Sequence, residues 1–104
     1  MTQNSDAAQD RNTVQKQNAS QQKMTLNGIE FLQYIPGVYL VTDGLTEENT
    51  RELLRAADLL IIRGAKMISL PDRPDYRRIG IRLGCEVETR HVNGKDYLLF
   101  MLPL

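Results

Sequence analysis

The sequence predicts a small α/β (α+β) domain that contains a mixed sheet with a βαβ unit, a second short helix and a C-terminal β-hairpin. Three observations predict it. A β-rich run at residues 38–41 precedes an amphipathic helical pattern and a second β-rich run at residues 65–70. Another helical pattern follows Pro74. Asn93-Gly94 then separates two β-rich runs, which is the strongest short-range pattern for a hairpin.

The first 23 residues predict a disordered Gln/Asn-rich tail. Their apolar residues are limited to Met1, Val14 and three alanines. Such a segment cannot bury enough surface to offset a backbone entropy cost of ~1–2 kcal/mol per residue. We therefore expect one small domain over residues 24–104. A tail that folds on contact with a partner is the alternative.

Two short strands are expected before the long helix. Residues 29–34 are the first candidate, after a turn at Asn27-Gly28. The run at residues 38–41 is apolar throughout rather than alternating, which is typical of a central strand covered on both faces.

The long helix is expected over residues 47–63. Thr46 is a good N-cap, and Gly64 is a natural stop. Glu47 and Arg51 are spaced for an i, i+4 pair on the outer face. The predicted apolar stripe consists of Leu53, Leu54, Ala57, Leu60 and Ile61.

The run at residues 65–70 completes the βαβ unit, so its strand should lie parallel to the run at residues 38–41. A second helix should begin near Pro74 and end at Gly84. Gly80 in its middle costs ~1 kcal/mol relative to Ala, which indicates close packing at that position. The apolar stripe of this helix is Tyr76, Ile79 and Leu83.

The C-terminal hairpin should have a two-residue type I′ turn at Asn93-Gly94, with Val92 opposite Lys95. This register assigns to the core face the pairs His91–Asp96, Thr89–Leu98, Val87–Phe100 and Cys85–Leu102. It assigns to the other, partly covered face the pairs Arg90–Tyr97, Glu88–Leu99 and Glu86–Met101.

Several motifs accompany this order of elements. They are residues 53–58, Arg63-Gly64-Ala65-Lys66 leading into residues 67–70, residues 76–83, Gly84-Cys85-Glu86-Val87 and the closing strand at residues 97–102. With these motifs, residues 28–104 resemble the C-terminal half of the GNAT N-acyltransferase superfamily. Leu83-Gly84-Cys85 is similar to the Leu-Gly-Phe turn of that family, with Cys in place of Phe. The resemblance implies a GNAT-like topology.

The resemblance does not extend to the cofactor loop. GNAT enzymes hold the pyrophosphate of acyl-CoA on a Gly-rich loop at the N-terminus of the long helix. Residues 42–48 at that place read Thr-Asp-Gly-Leu-Thr-Glu-Glu, whose carboxylates would repel a phosphate. The family's general-acid Tyr corresponds to Gly80 here. We therefore expect no catalytic residue and no cofactor, and an acyl-CoA-dependent N-acyltransferase with a divergent loop is the alternative.

The remaining reactive residues favour structural roles. His91 and Asp96 could pair across the hairpin, but Cys85 lies too far along the strand to act with them. Cys85 begins an apolar face, which predicts a buried and unreactive thiol. One His and one distant Cys cannot form a metal site, so none is expected. Asp72 and Asp75 are typical helix caps.

The balance of 13 Lys+Arg against 13 Asp+Glu removes the usual electrostatic reason to bind nucleic acid or an anionic membrane. The single Cys excludes an intramolecular disulfide framework. The longest apolar stretch, residues 59–62, is far shorter than the ~20 residues of a membrane span. Without an apolar signal sequence at the N-terminus, a cytoplasmic location is expected.

Charge is unevenly distributed along the chain. Residues 63–82 carry six basic side chains against two acidic ones, whereas residues 43–58 carry five acidic side chains against two basic ones. Opposite charges on one small domain favour oriented protein contacts, and ordinary solvated helix faces are the alternative. The predicted interaction residues are Arg73, Arg77, Arg78, Arg82, Glu47 and Glu48.

These observations predict a non-catalytic protein-interaction or regulatory module that binds a protein partner or itself. A domain that lacks half of a parent fold should expose an edge strand or an apolar face, so we expect a dimer or a larger assembly. A small nucleic-acid regulator that grips phosphates with Arg73, Arg77 and Arg78 is a further alternative, although nucleic acid is not the expected partner.

Overall fold

The computed structural model describes residues 22–104 and confirms the α/β class. The strands are β1 (Lys23–Leu26), β2 (Ile29–Ile35), β3 (Val38–Asp43), β4 (Met67–Pro71), β5 (Val87–Val92) and β6 (Lys95–Met101). The helices are α1 (Thr50–Ile62), which follows a 3₁₀ turn at Glu47–Asn49, and α2 (Pro74–Leu83). The predicted tail lies outside the described residues except for its last two, and β1 already begins at Lys23.

Within residues 22–104 the strands form one six-stranded sheet in the order β1-β2-β3-β4-β6-β5. β3 and β4 are parallel, and all other neighbouring strands are antiparallel. Because α1 connects the parallel pair, the predicted βαβ unit is confirmed. Neither helix has the length and hydropathy of a membrane span.

Two Asn-Gly turns set the registers of the outer hairpins. Asn27 and Gly28 have φ values of 53° and 81°, and Asn93 and Gly94 have φ values of 51° and 78°. Positive φ at both central residues defines a type I′ turn, as predicted for the C-terminal hairpin. The predicted pairs of that hairpin are present from Val92–Lys95 to Val87–Phe100. β5 begins at Val87, however, so the predicted pair Cys85–Leu102 lies outside the ladder.

Both helices pack on the same face of the sheet. The core joins the residues Leu53, Ala56, Ala57 and Leu60 of α1 and Tyr76 and Ile79 of α2 to Phe31, Val41, Ile68 and Phe100 of the strands. The predicted stripe of α1 is wrong at Leu54 and Ile61, which are each 37% exposed. At ~100° per residue these two side chains lie at the rim of the buried face, whereas Ala56 lies within it.

Gly80 occupies the closest contact between α2 and the sheet. A Cβ atom at this position would lie 3.0 Å from Val87 Cγ2 and 3.1 Å from Phe100 Cε1. Phe100 is fully buried, so its ring has little room to move. The close packing predicted from this mid-helix glycine is therefore confirmed.

We expect Gly80→Ala to lower the free energy of unfolding by about 1 kcal/mol, because overpacking against Phe100 outweighs the gain in helix propensity. Urea unfolding measures the change. Ile81→Ala is the control, since Ile81 is 79% exposed on the same helix and should change stability by less than about 0.5 kcal/mol. A Gly80→Ala variant as stable as the unmodified chain would contradict this account.

Candidate interaction surface

The second face of the sheet has no helix over it in the described part of the chain. We call this surface the open face. Its central side chains are those that alternate with the core positions of three strands: Val38 and Leu40 of β3, Met67 and Ser69 of β4, and Tyr97 and Leu99 of β6. The expectation that the run at residues 38–41 is covered on both faces is therefore wrong, because Val38 and Leu40 remain partly exposed.

A groove of about 560 Å³ follows the open face across β3, β4 and β6. The floor is formed largely by apolar side chains of the central strands. Tyr34 and Ile35 line it from β2, where each is about half exposed. Arg90 and Lys95 line it from the C-terminal hairpin. The groove thus joins an apolar floor to a basic border, without a carboxylate among its lining residues.

The strand β5 borders this surface as an edge of the sheet. All six of its residues are exposed. Within the described residues it pairs with β6 alone, so the backbone groups of its outer edge have no strand beside them. An exposed edge of this kind can accept another strand.

Two predicted interaction residues of α2, Arg78 and Arg82, bind Glu47 at the start of the long helical segment. Arg78 Nε and Nη2 donate to the two carboxylate oxygens of Glu47 at 2.9 and 2.7 Å. Arg82 Nη1 donates to the Glu47 backbone oxygen at 2.9 Å. The predicted pair of Glu47 with Arg51 is therefore replaced by a contact between two helical segments. The Arg78 guanidinium lowers the pKa of Glu47.

The other two arginines also have carboxylate partners nearby. Arg77 binds Asp72 with two hydrogen bonds of 2.6 Å each. Arg73 binds Asp75 and lies 4.3 Å from the centroid of the Tyr76 ring. Asp75 Oδ1 also accepts a hydrogen bond from the Tyr76 backbone N–H, whereas Asp72 is held by Arg77 rather than acting as a cap. These arginines lower the pKa values of both aspartates.

Four of the six basic side chains of residues 63–82 are thus held in ion pairs inside the molecule. They are Arg73, the N-cap residue of α2, and the three arginines within that helix, and their partners are Asp75, Asp72 and Glu47. Glu48, the last of the predicted interaction residues, is exposed beside Glu47. The use of these six side chains for binding stays a prediction.

The loop where the resemblance would seat a diphosphate is closed by hydrogen bonds of its own. The backbone N–H of Gly44 donates to Asp43 Oδ1 at 2.9 Å. The N–H of Thr46 donates to Asn49 Oδ1 at 2.8 Å, and the N–H of Glu48 donates to Thr46 Oγ1 at 3.2 Å. Thr46 is the N-cap, as predicted, although it caps a 3₁₀ turn that precedes α1.

The remaining candidates stand apart from one another. His91 Nδ1 lies 2.6 Å from Asp96 Oδ1 across the exposed end of the hairpin, so this predicted pair is confirmed. Cys85 is partly buried against the core, and burial raises the pKa of its thiol. No cluster of three metal-ligating side chains occurs within residues 22–104.

Comparisons of the chain with protein-family models, with curated proteins and with solved structures return no significant match. The features that bear on its function are therefore the open face, the edge strand β5 and the closed loop.

The Glu47 contacts predict a pH dependence of stability. Because pairing lowers the folded-state pKa of Glu47, its contribution is present above the ordinary glutamate pKa of about 4.3 and is lost as the pH falls through the folded-state value. When the pH is lowered from 7 into the acidic range, the free energy of unfolding should therefore decrease less for Glu47→Gln than for the unmodified chain. Urea unfolding at each pH measures this decrease. Asp72 and Asp75 leave part of the acid sensitivity in both proteins.

Glu48→Gln is the matched control for this experiment, because it removes a neighbouring carboxylate that makes no ion pair with Arg78 or Arg82. An identical acid-induced loss for Glu47→Gln and the unmodified chain would show that the Glu47 contacts are irrelevant to stability.

Proposed function

We propose that this chain is a non-catalytic protein-interaction module with a GNAT-like topology, and that the groove on the open face receives an apolar segment of a partner protein. The observation that carries the proposal is the apolar surface left uncovered along β3, β4 and β6. Contiguous exposed apolar surface of this kind is typical of interaction sites. Covering it contributes about 25 cal/mol per Å² of apolar area removed from water.

The shape and charge of the groove indicate the chemistry of its occupant. A concave surface is filled by a convex partner, such as one face of an amphipathic helix or the side chains of a strand. Two grooves of this chain placed against each other would leave a gap between them. Arg90 and Lys95 at the border favour a segment that carries a carboxylate beside its apolar side chains.

The hydrogen bonds of the loop support a module without acyl-CoA chemistry. A diphosphate at residues 44–48 would have to displace the side-chain oxygens that accept from Gly44, Thr46 and Glu48. It would also approach the carboxylates of Asp43, Glu47 and Glu48, which repel its charge. The divergent N-acyltransferase therefore remains the weaker proposal.

The ion pairs of α2 count similarly against nucleic-acid binding. A phosphate on Arg77 or Arg78 would compete with the paired carboxylates of Asp72 and Glu47, each of which already binds its arginine in a bidentate geometry. A cytoplasmic protein partner, or a second copy of the chain, therefore suits the exposed surfaces of this domain better than a nucleic acid does.

Calorimetry with acetyl-CoA tests the non-catalytic part of the proposal. We expect no binding in the micromolar range, because the N–H groups of Gly44, Thr46 and Glu48 already donate to nearby side chains. Micromolar binding that is weakened by a substitution in residues 43–48 would favour the N-acyltransferase instead.

The groove is tested by Ser69→Lys, which places a long side chain on its floor. In pull-downs from the native host, a partner retained by the unmodified chain should be reduced at least about tenfold by this variant, since the apolar contact is blocked. Thr25→Lys is the matched control, because Thr25 is an exposed strand residue outside the groove. Circular dichroism verifies that each variant is folded.

Lys95→Glu gives a second test that leaves the floor unchanged. It reverses the charge at the border, so we expect weaker retention of the same partner. A partner bound equally by the unmodified chain, Ser69→Lys and Lys95→Glu would place the contact elsewhere and reject the groove.

A further inference from the structure

We propose that two copies of this chain pair through the outer edge of β5, antiparallel about a two-fold axis at Thr89, and form one continuous sheet. This inference deepens the proposed interaction function by naming a second copy of the chain as one partner and β5 as the contact. It rests on three observations: the orientation of the backbone groups of β5, its exposure, and the order of its charges.

The type I′ turn decides which backbone groups of β5 face outward. A two-residue turn makes Val92 and Lys95 a hydrogen-bonded pair, and such pairs alternate along an antiparallel ladder. Even-numbered residues of this strand therefore bond to β6. The hydrogen bond from Met101 N to Glu86 O, at 2.9 Å, follows the same alternation beyond the strand end. Val87, Thr89 and His91 consequently direct their N–H and C=O groups to the outer edge.

A two-fold axis perpendicular to the sheet keeps the helices of both copies on one side. Residues that lie opposite each other across the new contact then project on the same face. The axis can pass through Glu88, Thr89 or Arg90 near the middle of β5. These three registers differ in the number of hydrogen-bonded pairs and in which charges meet.

Only the register with the axis at Thr89 both bonds every outward-facing residue and brings opposite charges together. It pairs Thr89 with its own copy and Val87 with His91 of the other copy, so all three outward-facing residues of each strand are bonded. It also places Glu88 opposite Arg90 of the other copy on both sides of the axis. Cross-strand pairs of opposite charge stabilise a sheet, and like charges directly opposite destabilise it.

The neighbouring registers fail on both counts. An axis at Arg90 sets two arginines opposite each other and leaves Val87 without a bonded partner. An axis at Glu88 sets two glutamates opposite each other and leaves His91 unbonded. The present contact between Arg90 and Glu88 within one strand, at 3.8 Å with both side chains about half exposed, is weak enough to be exchanged for a contact across the axis.

The paired sheet would also bring two grooves side by side. Arg90 lines the groove of its own copy and meets Glu88 of the other copy at the axis. The dimer would therefore present two partner-binding grooves on one surface, and a partner with two such segments would gain affinity from binding both.

Sedimentation of the full-length chain tests the contact. The unmodified chain should form a dimer at high micromolar concentration. Glu88→Arg and Arg90→Glu should each raise the dimer dissociation constant about tenfold, because two attractive pairs become repulsive. The double variant with both substitutions should restore the dimer, since it only exchanges the two charges. Arg55→Glu, on the exposed side of α1, is the control for a charge reversal elsewhere.

Thr89→Pro supplies an independent measurement. It removes an outward-facing N–H at the centre of the contact while leaving the bonds of β5 to β6, so it should also weaken the dimer. A folded chain that stays monomeric, or single charge variants that dimerise as well as the unmodified chain, would overturn the proposed contact. If the chain does not dimerise through β5 but Ser69→Lys reduces retention of the partner, the groove proposal stays intact. If the chain dimerises through β5 but Ser69→Lys retains the partner fully, only the groove is rejected.

Discussion

The surface of this domain depends on one constraint: its helices cover one face of the sheet. α1 and α2 have 13 and 10 residues, or about 20 and 15 Å at ~1.5 Å per residue. The six described strands are separated by five spacings of ~4.8 Å, so the sheet spans about 24 Å. Two such helices suffice to bury the aromatic and aliphatic side chains on one face of the sheet. Residues 22–104 contain no further helix that could cover the other face. The groove is the direct consequence.

The position of the second helix is fixed by packing and by charge together. Gly80 lets α2 approach Phe100 closely, and Arg78 and Arg82 hold the same helix to Glu47. Exposed ion pairs contribute little to stability, so these contacts serve mainly to orient the helix. They also pair two arginines that the sequence predicts to be available to a partner. At the border of the groove, Arg90 contacts Glu88 at 3.8 Å, whereas Lys95 makes no ion pair within the described residues.

The sequence was sufficient for features that depend on neighbouring residues. The Asn93-Gly94 turn, the register from Val92 to Val87, the βαβ unit and the packing at Gly80 all follow from local patterns. The open face does not, because the apolar run at residues 38–41 is the same whether a second layer covers it or not. The partner of Glu47 was missed for the same reason, since Arg78 lies 31 residues away and competes with the local choice, Arg51. The continuous apolar runs of β3 and β6 place apolar side chains on both faces of the sheet, and this was the pattern that could have revealed the groove.

An exposed edge strand is normally a hazard, because it can pair with any other strand. The charges of β5 restrict that freedom in a specific way. Glu88 and Arg90 lie on one face, two residues apart, so a shift of the two-fold register by one residue brings like charges together. Once both copies of β5 are joined, the outer edges of the enlarged sheet within the described residues are two copies of the four-residue strand β1. A short edge offers few hydrogen bonds to a further chain, so the same arrangement that permits a dimer opposes continued growth.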